Sequence, residues 1–426
     1  MSRSLFHHSR IQIWPNSRNM IRPFAPEFPC PFRDDEHPRA RNIVEHVLGL
    51  DQETLAAKCR LMKKALADRH RNLEDILRHR YEEIRERLPI CARASDQAKL
   101  VIGAYFSQEY SFECAALFNP SVVLHPRQEE DGSRAIRFLV SLRGIGEGHI
   151  SSVTFRTGSW SEEGGFVLDA PSKFACAAHV EKLKGDGSIR IVCDDLKDIS
   201  EAVLFPTTDK QRQGIEDLRL CRFVQEDGEV EFYGTYTAFD GRTARSELLR
   251  WNGFRSFEMH TLTGSAAAAK GMALFPRRIG GRYMMLGRQD GESIWLLDSD
   301  DLYHWDGGAK LISPRYPWEF TQMGNGGSPI EVEEGWLVLT HGVGVARTYC
   351  LGAALLDRAD PSKLLARTPE PILCPRVKER DGYVPNVVYT CGGMVHGRTL
   401  LLPYGVADNF TSFASCSVDA LLKRME

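Results

Sequence analysis

From about residue 95 onward the chain repeats itself. Segments opening near Leu218 (LRLCRFVQEDGEVEFYGTYTAFDG), Leu274 (LFPRRIGGRYMMLGRQDG), Pro329 (PIEVEEGWLVLTHGVG) and Val387 (VVYTCGGMVHGRTLLLPYGVAD) share one grammar of strand, tight polar turn, strand and polar tip. Their openings lie 56, 55 and 58 residues apart, and Phe118 (FNPSVVLHP) opens another about 100 residues earlier, an interval that suits one unit plus a long insertion or an irregular second unit. A unit of this size cannot bury its own apolar faces, so a period of roughly 40–60 residues in four-strand units implies radial repetition, each unit packing on its neighbours. The expected fold class is all-β, a five-bladed β-propeller over 96–426 with an N-terminal helical extension over 1–95. In LDSDDLYHW, Ser299, Asp301 and Trp305 follow a third strand, where a polar turn pins the outer one; SELLRWNGFRSF, from Ser246, reads as a degenerate copy.

The extension has two parts. Residues 1 to about 40 mix Pro, Arg and aromatics without a period, as expected of an extended arm or a partly disordered one. From Ala40 to Leu88, Asp51 is placed to cap a helix running to Leu66, and Leu73, Ile76, Leu77, Tyr81, Ile84 and Leu88 recur at helical spacing. A helical hairpin is predicted, packed on something larger, with homo-oligomerisation through this surface as the alternative. Beyond Pro89 little helical period is expected before the last dozen residues.

Composition narrows the function classes. A net charge of −3 gives no electropositive field for nucleic acid or an anionic membrane. No run of about 18 apolar residues is present to span a bilayer, and the basic N-terminus lacks the apolar core of a secretory signal. The 11 cysteines, from Cys30 to Cys416, never form a CxxC pair, which argues against a disulfide framework and a structural zinc site. Cytoplasmic residence follows as the expectation, with no metal and no cofactor.

Radially repeated folds place their sites at one end of the central channel, so polar groups at equivalent points of each repeat are the candidates. These are Asn119, Arg143, Asp217, Arg219, Lys270, Arg288, His341 and Asp408, with Glu113 and Glu379 as further carboxylates placed for a base role. Cations and carboxylates converging from several repeats suit a polyhydroxy ligand together with an anion. The glycines of SLRGIGEGHIS (Gly144, Gly146, Gly148) lack the GxGxxG spacing and following helix of a nucleotide loop.

Five ordered segments resemble glycoside hydrolase family 130, the β-mannoside phosphorylases and β-1,2-mannosidases. GIEDLRL is similar to its Glu-Asp-Pro-Arg motif, and MALFPRRIGGRYMMLGR to its Phe-Pro-Glu-Lys segment ending in His-Arg. EEGWLVLTHGVG, with LGAALLDRADPSKLLARTPEPILCP, resembles its Gly-Trp-Leu, Tyr-His-Gly and Leu-Leu-Asp run, and GYVPNVVYTCGG and LLPYGVAD its C-terminal signature. Departures stand at Leu218 for Pro, Arg277 and Arg278 for Glu-Lys, Gly287 before Arg288, and Thr340 for Tyr, all expected in or beside the site.

The resemblance implies an inverting β-mannoside phosphorylase that uses inorganic phosphate as co-substrate and yields α-mannose 1-phosphate. Asp217 would be the general acid, acting through a sugar hydroxyl. Asn119, Arg219, Lys270, Asp408, Glu113 and Glu379 would hold the oligosaccharide, and Arg143, Arg288 and His341 the phosphate. An inverting β-1,2-mannosidase or related mannosyltransferase is the alternative, and a non-catalytic sugar-binding propeller the third reading. A hydrolase needs a second carboxylate about 6.5–9.5 Å from the acid to hold a water, whereas a phosphorylase needs cations there.

Overall fold

In the computed structural model, residues 4–26, 38–128, 134–183, 187–251 and 253–426 are described; Cys30 lies outside them. The chain is mostly β with few helices and divides into two compact units. One comprises Met1–Asn16, Glu113–Pro171 and Ala178–Glu426; the other comprises Ser17–Phe112 and Ser172–Ala177.

The smaller unit is helical, with four α-helices among the described residues rather than the expected pair: α1 (Pro38–Leu48), α2 (Gln52–Leu66), α3 (Leu73–Arg87) and α4 (Asp96–Tyr105). Asp51 caps α2 as expected, Oδ1 accepting from Thr54 N at 2.8 Å. Helix α3 buries Leu73, Leu77 and Tyr81 and stops before Pro89, whose ring disfavours helical geometry in the residue preceding it. Helix α4, capped by Ser95, falls within the stretch expected to lack helices. Its run LVIGA is apolar all round and hides any 3.6-residue period, because it fills the middle of this unit's core. A Cβ on Gly103 would stand 2.0 Å from the Leu77 carbonyl oxygen, so glycine is what lets α4 lie against α3. Strands Asn19–Pro23 and Ser107–Ser111 pair beside these helices. The expected boundary at residue 95 therefore falls inside this unit, because its core needs α4.

In the larger unit, five antiparallel quartets of strands can be traced. The first is Ala116–Leu124, Ile136–Ile145, Ser151–Ser161 and Gly165–Leu168. The second is Gly214–Val224, Val230–Phe239, Ala244–Trp251 and Ser256–Thr261. The third is Ala273–Leu274, Tyr283–Gly287, Ile294–Ser299 and Ala309–Ile312. The fourth is Gln322–Asn325, Gly335–Val343, Tyr349–Leu356 and Leu364–Arg367. The fifth runs Val388–Tyr389, Thr399–Val406 and Phe410–Ser417, and its outer strand is His7–Ile13 from the far end of the chain, with His8 opposite Ala414. Part of the segment expected to be an extended or a partly disordered arm is thus an extended, paired strand.

Apolar clusters join successive quartets. Phe223, Tyr233, Leu274, Met285 and Trp305 bind the second to the third. Phe275, Leu286, Trp336 and Val338 bind the third to the fourth. Leu339, Leu351, Leu402 and Tyr404 bind the fourth to the fifth. Leu117, Phe138, Leu401 and Phe413 bind the fifth back to the first. The first and second share one sheet, joined where Gly214 pairs with Ser151. The turn at Ser299 behaves as expected: Ser299 Oγ donates to the His304 carbonyl, and Trp305, fully buried, donates from Nε1 to Leu302 O at 2.8 Å.

Candidate active site

Polar residues gather on the first strands of the quartets and beyond the ends of the second strands. Asn119 and Asp217 each lie in a first strand, inside a register shift between Phe118 and Ser121 or between Glu216 and Arg219. Such a bulge turns a side chain out of the ladder. Both residues take left-handed backbone angles, φ 47° and 54°, and so does Asp408, φ 48°, in the turn between Val406 and Phe410. Asn and Asp tolerate this conformation better than other residues with a Cβ. Arg143 and His341 lie near the ends of second strands, and Arg288 just past one.

Asn119 Nδ2 donates to Asp217 Oδ1 at 2.7 Å. Arg143 is committed to three acceptors: Ser151 Oγ at 2.7 Å, Glu216 Oε1 at 2.7 Å and Asp217 Oδ1 at 3.4 Å. Arg219, nearly buried, donates to the Gly271 carbonyl and to the Tyr389 hydroxyl at 2.9 Å. The Tyr389 ring lies 4.9 Å from the His341 imidazole, which Tyr349 flanks at 6.2 Å. Three polar atoms here, Asn119 Oδ1, Asn325 Nδ2 and His341 Nδ1, are buried without a hydrogen-bond partner among the described residues. Buried polar groups in native proteins are nearly always satisfied, so these mark positions where a ligand's own polar groups fit.

The charges link the groups of the site. Burial opposes ionisation of Asp217, but the Arg143 charge, the Asn119 hydrogen bond and the charges of Arg219 and Lys270 together hold its carboxyl below the usual range. Asp408 is pushed up to about 6 by burial, which the Asp217 charge reinforces and Arg143 and Arg347 oppose. Burial, followed by the charges of Arg288, Arg219 and Lys270, holds His341 well below its ordinary value, so at neutral pH it is a neutral hydrogen-bonding ring. Arg143 therefore acts on Asp217 and Arg288 on His341, while Arg219 and Lys270 act on both.

Two expected site carboxylates are engaged elsewhere. Glu113 is fully buried, and both its oxygens take hydrogen bonds from Arg156 Nη2, at 2.8 and 2.9 Å, so it is an ion-pair partner rather than a substrate contact or base. Glu379 sits 3.9 Å from Arg376 and close to Tyr404, whose hydroxyl meets His8 Nδ1 at 3.2 Å where the N-terminal strand docks. The departures at 277 and 278 are also explained away from the site. Arg277 is paired with Glu331 at 2.9 and 2.8 Å, and Arg278 donates to the Tyr283 hydroxyl at 2.7 Å. Leu218 is buried, and its Cδ1 occupies space that a Cβ on Gly234 would need, at 2.6 Å. Sequence reasoning passed over Tyr389, Asn325, Arg347 and the Glu216 pairing with Arg143. Tyr389 stands in the quoted VVYTCGG and Arg347 just beyond HGVG, but nothing in either spacing says which way the side chain turns.

Residues 189–426 match the family model of the β-1,4-mannooligosaccharide phosphorylases, glycoside hydrolase family 130. The chain belongs to this family. Among curated members, 1,2-β-oligomannan phosphorylase of Thermoanaerobacter sp. (strain X514) is 35% identical over 229 residues, covering 51% of this chain and 72% of that protein. The β-1,2-mannobiose phosphorylase of Listeria innocua is 35% identical over 235 residues, covering 52% of this chain and 63% of that protein. The fold is similar to the solved structure of β-1,2-mannobiose phosphorylase from Listeria innocua in complex with β-1,2-mannobiose. That structural match has a TM-score of 0.55 and 22% identity, over 74% of this chain and 92% of the other. Among the described residues no three His, Cys, Asp or Glu side chains are grouped to hold a metal, and no helix is long and apolar enough to cross a membrane.

Proposed function

We propose that this family 130 member is an inverting β-mannoside phosphorylase acting on β-manno-oligosaccharides. The observation that carries the reading is that a carboxylate, Asp217, and a neutral imidazole, His341, share the charges of Arg219 and Lys270, with Arg288 acting on His341. Asn119 and Asp408 hold the mannosyl ring; Arg143, expected at the phosphate, joins them because it is committed to Ser151, Glu216 and Asp217, and Lys270, expected at the sugar, is assigned to the phosphate in its place. Lys270, Arg288 and His341 hold inorganic phosphate, His341 as a neutral donor. Arg219, fixed by Gly271 and Tyr389, bears electrostatically on both Asp217 and His341. A phosphate oxygen attacks the anomeric carbon from the face opposite the leaving sugar, and the C1–O bond breaks. The departing oxygen takes a proton that originates on Asp217 and passes through a sugar hydroxyl, leaving α-mannose 1-phosphate.

Asp217 is ionised in the free site, yet an acid must arrive protonated. Phosphate brings negative charge to the cations that hold the carboxyl down, so the co-substrate itself restores the proton affinity the reaction needs. Hydrolysis would call for a second carboxylate poised over a water; Glu216 is tied to Arg143 instead. The five quartets are read as the blades of a propeller, the site lying at one mouth of its channel. The enzyme is read as cytoplasmic, without metal or cofactor, and with the helical unit as a surface for self-association. The test is incubation of β-manno-oligosaccharides with and without inorganic phosphate. Phosphate-dependent formation of α-mannose 1-phosphate is expected; phosphate-independent release of free mannose would show a mannosidase, and binding without turnover a sugar-binding module.

A further inference from the structure

Two cysteines stand opposite each other at the edge of the fourth quartet. Leu351, in the strand Tyr349–Leu356, forms an antiparallel bridge with Leu373. Leu351 N donates to Leu373 O at 2.8 Å, and Leu351 O accepts from Ile372 N at 2.8 Å and from Leu373 N at 3.4 Å. In an antiparallel ladder the next opposed pair out from a hydrogen-bonded pair is a non-hydrogen-bonded one, with Cα atoms about 4.5 Å apart and side chains at their closest. That next pair is Cys350 and Cys374. The spacing falls within the range of about 4.4–6.8 Å that a disulfide spans without backbone movement. Cys350 is buried and Cys374 exposed. The thiols interact directly: the hydrogen bond from Cys350 holds the Cys374 thiol below its ordinary range, outweighing partial burial and the Glu370 charge. The same bond pushes the Cys350 thiol up.

We propose that Cys350 and Cys374 form a dithiol that closes to a cross-strand disulfide when it meets a small-molecule disulfide, a modification site separate from the sugar and phosphate contacts. The exposed Cys374 thiolate attacks one sulfur of the small disulfide; its S–S bond breaks, one small thiolate departs, and a mixed disulfide remains on Cys374. Cys350 gives up its proton, its sulfur attacks Cys374 Sγ, and the second small thiolate departs. Two protein thiols are oxidised and one small disulfide is reduced to two thiols. The bridge ties the strand carrying Tyr349 to the segment that runs on to Tyr389, and these are the two rings packed on His341.

The full chain is treated, folded, with oxidised glutathione, then denatured, alkylated and weighed with and without reductant. Expected are a loss of two hydrogens, a loss of two alkylatable thiols, and a peptide crosslink between 350 and 374 that reductant opens. Cys350→Ser should stop at one glutathione on Cys374, and Cys374→Ser should give neither product. The mixed disulfide should form faster at Cys374 than at Cys114, the other exposed cysteine among the described residues, because the Cys350 hydrogen bond favours the Cys374 thiolate. A wild-type chain that stops at the mixed disulfide, crosslinks through other cysteines, or reacts no faster at Cys374 than at Cys114 overturns the proposal. If Cys350→Ser fails to fold, Cys374→Ser, altered only at an exposed position, still decides it.

Discussion

A carboxylate and its amide neighbour show how much a single residue depends on its surroundings here. Asp217 is held ionised by Arg143, Arg219, Lys270 and the amide of Asn119, so its catalytic use has to come from what substrate and phosphate change. Asp217→Asn should lower turnover on an unactivated mannoside by at least about a hundredfold while sugar affinity stays within about tenfold, since general acid catalysis typically supplies about 10²–10⁴-fold. An aryl mannoside or mannosyl fluoride, which needs little proton donation, should recover much of the rate. Equal loss on both substrates would make Asp217 a binding or structural residue. Asp408 makes a thermodynamic prediction of opposite sign. Its folded pKa of about 6 exceeds the ordinary 3.8, so the folded state binds the extra proton. The stability this contributes is complete below pH 4 and lost as pH rises through 6. Asp408→Asn should therefore stabilise the chain by on the order of 2 kcal/mol at pH 8 and hardly at all at pH 4, as read by denaturant unfolding at both values. At this scale the sequence disclosed residue types but not partners. The repeat pointed to Asn119, Asp217, His341 and Asp408, while Glu113 looked equally eligible, because the Arg156 that captures it is 43 residues away in the chain.

Secondary-structure elements were legible where a period or a cap was strong. The Asp51 cap, the strands with β-branched and aromatic runs, and the Ser299 turn all stand where the sequence puts them. Two kinds of element were not legible. Helix α4 is built on a run, LVIGA, that is apolar on every side and carries no stripe. The first strand of the fourth quartet, Gln322–Asn325 (QMGN), has none of the residues that favour strands, so the repeat appeared to open at Pro329, one strand late. Such strands exist because their neighbours hold them, not from local preference. Gly103 tests the contact behind α4: Gly103→Ala places a methyl against the Leu77 backbone and should cost about 2 kcal/mol or more, measured by thermal or denaturant unfolding. An unchanged midpoint would mean that α3 and α4 separate readily.

For the whole molecule, the cations of the site come from three different quartets: Arg143 from the first, Arg219 from the second, and Lys270 and Arg288 from beside and within the third, with the neutral His341 from the fourth. An anion bound among them joins elements that otherwise meet mainly through apolar clusters. Inorganic phosphate alone should raise the melting temperature, by the equivalent of about 2.7 kcal/mol at a hundred times its dissociation constant. Chloride at matched ionic strength should not reproduce the rise, and a scan in which it does would remove the phosphate site. The outer strand of the fifth quartet has another consequence, for synthesis on the ribosome. His7–Ile13 leaves the exit tunnel before its partner Phe410–Ser417, and the other four quartets lie between them in the chain, so the strand waits for all of these before it has a ladder to join. Contacts of such sequence separation form slowly because their loop entropy must be overcome first. Moving residues 7–13 to follow the C-terminal residues by circular permutation would turn this last seam into a local hairpin, and refolding should become faster while the finished sheet stays the same.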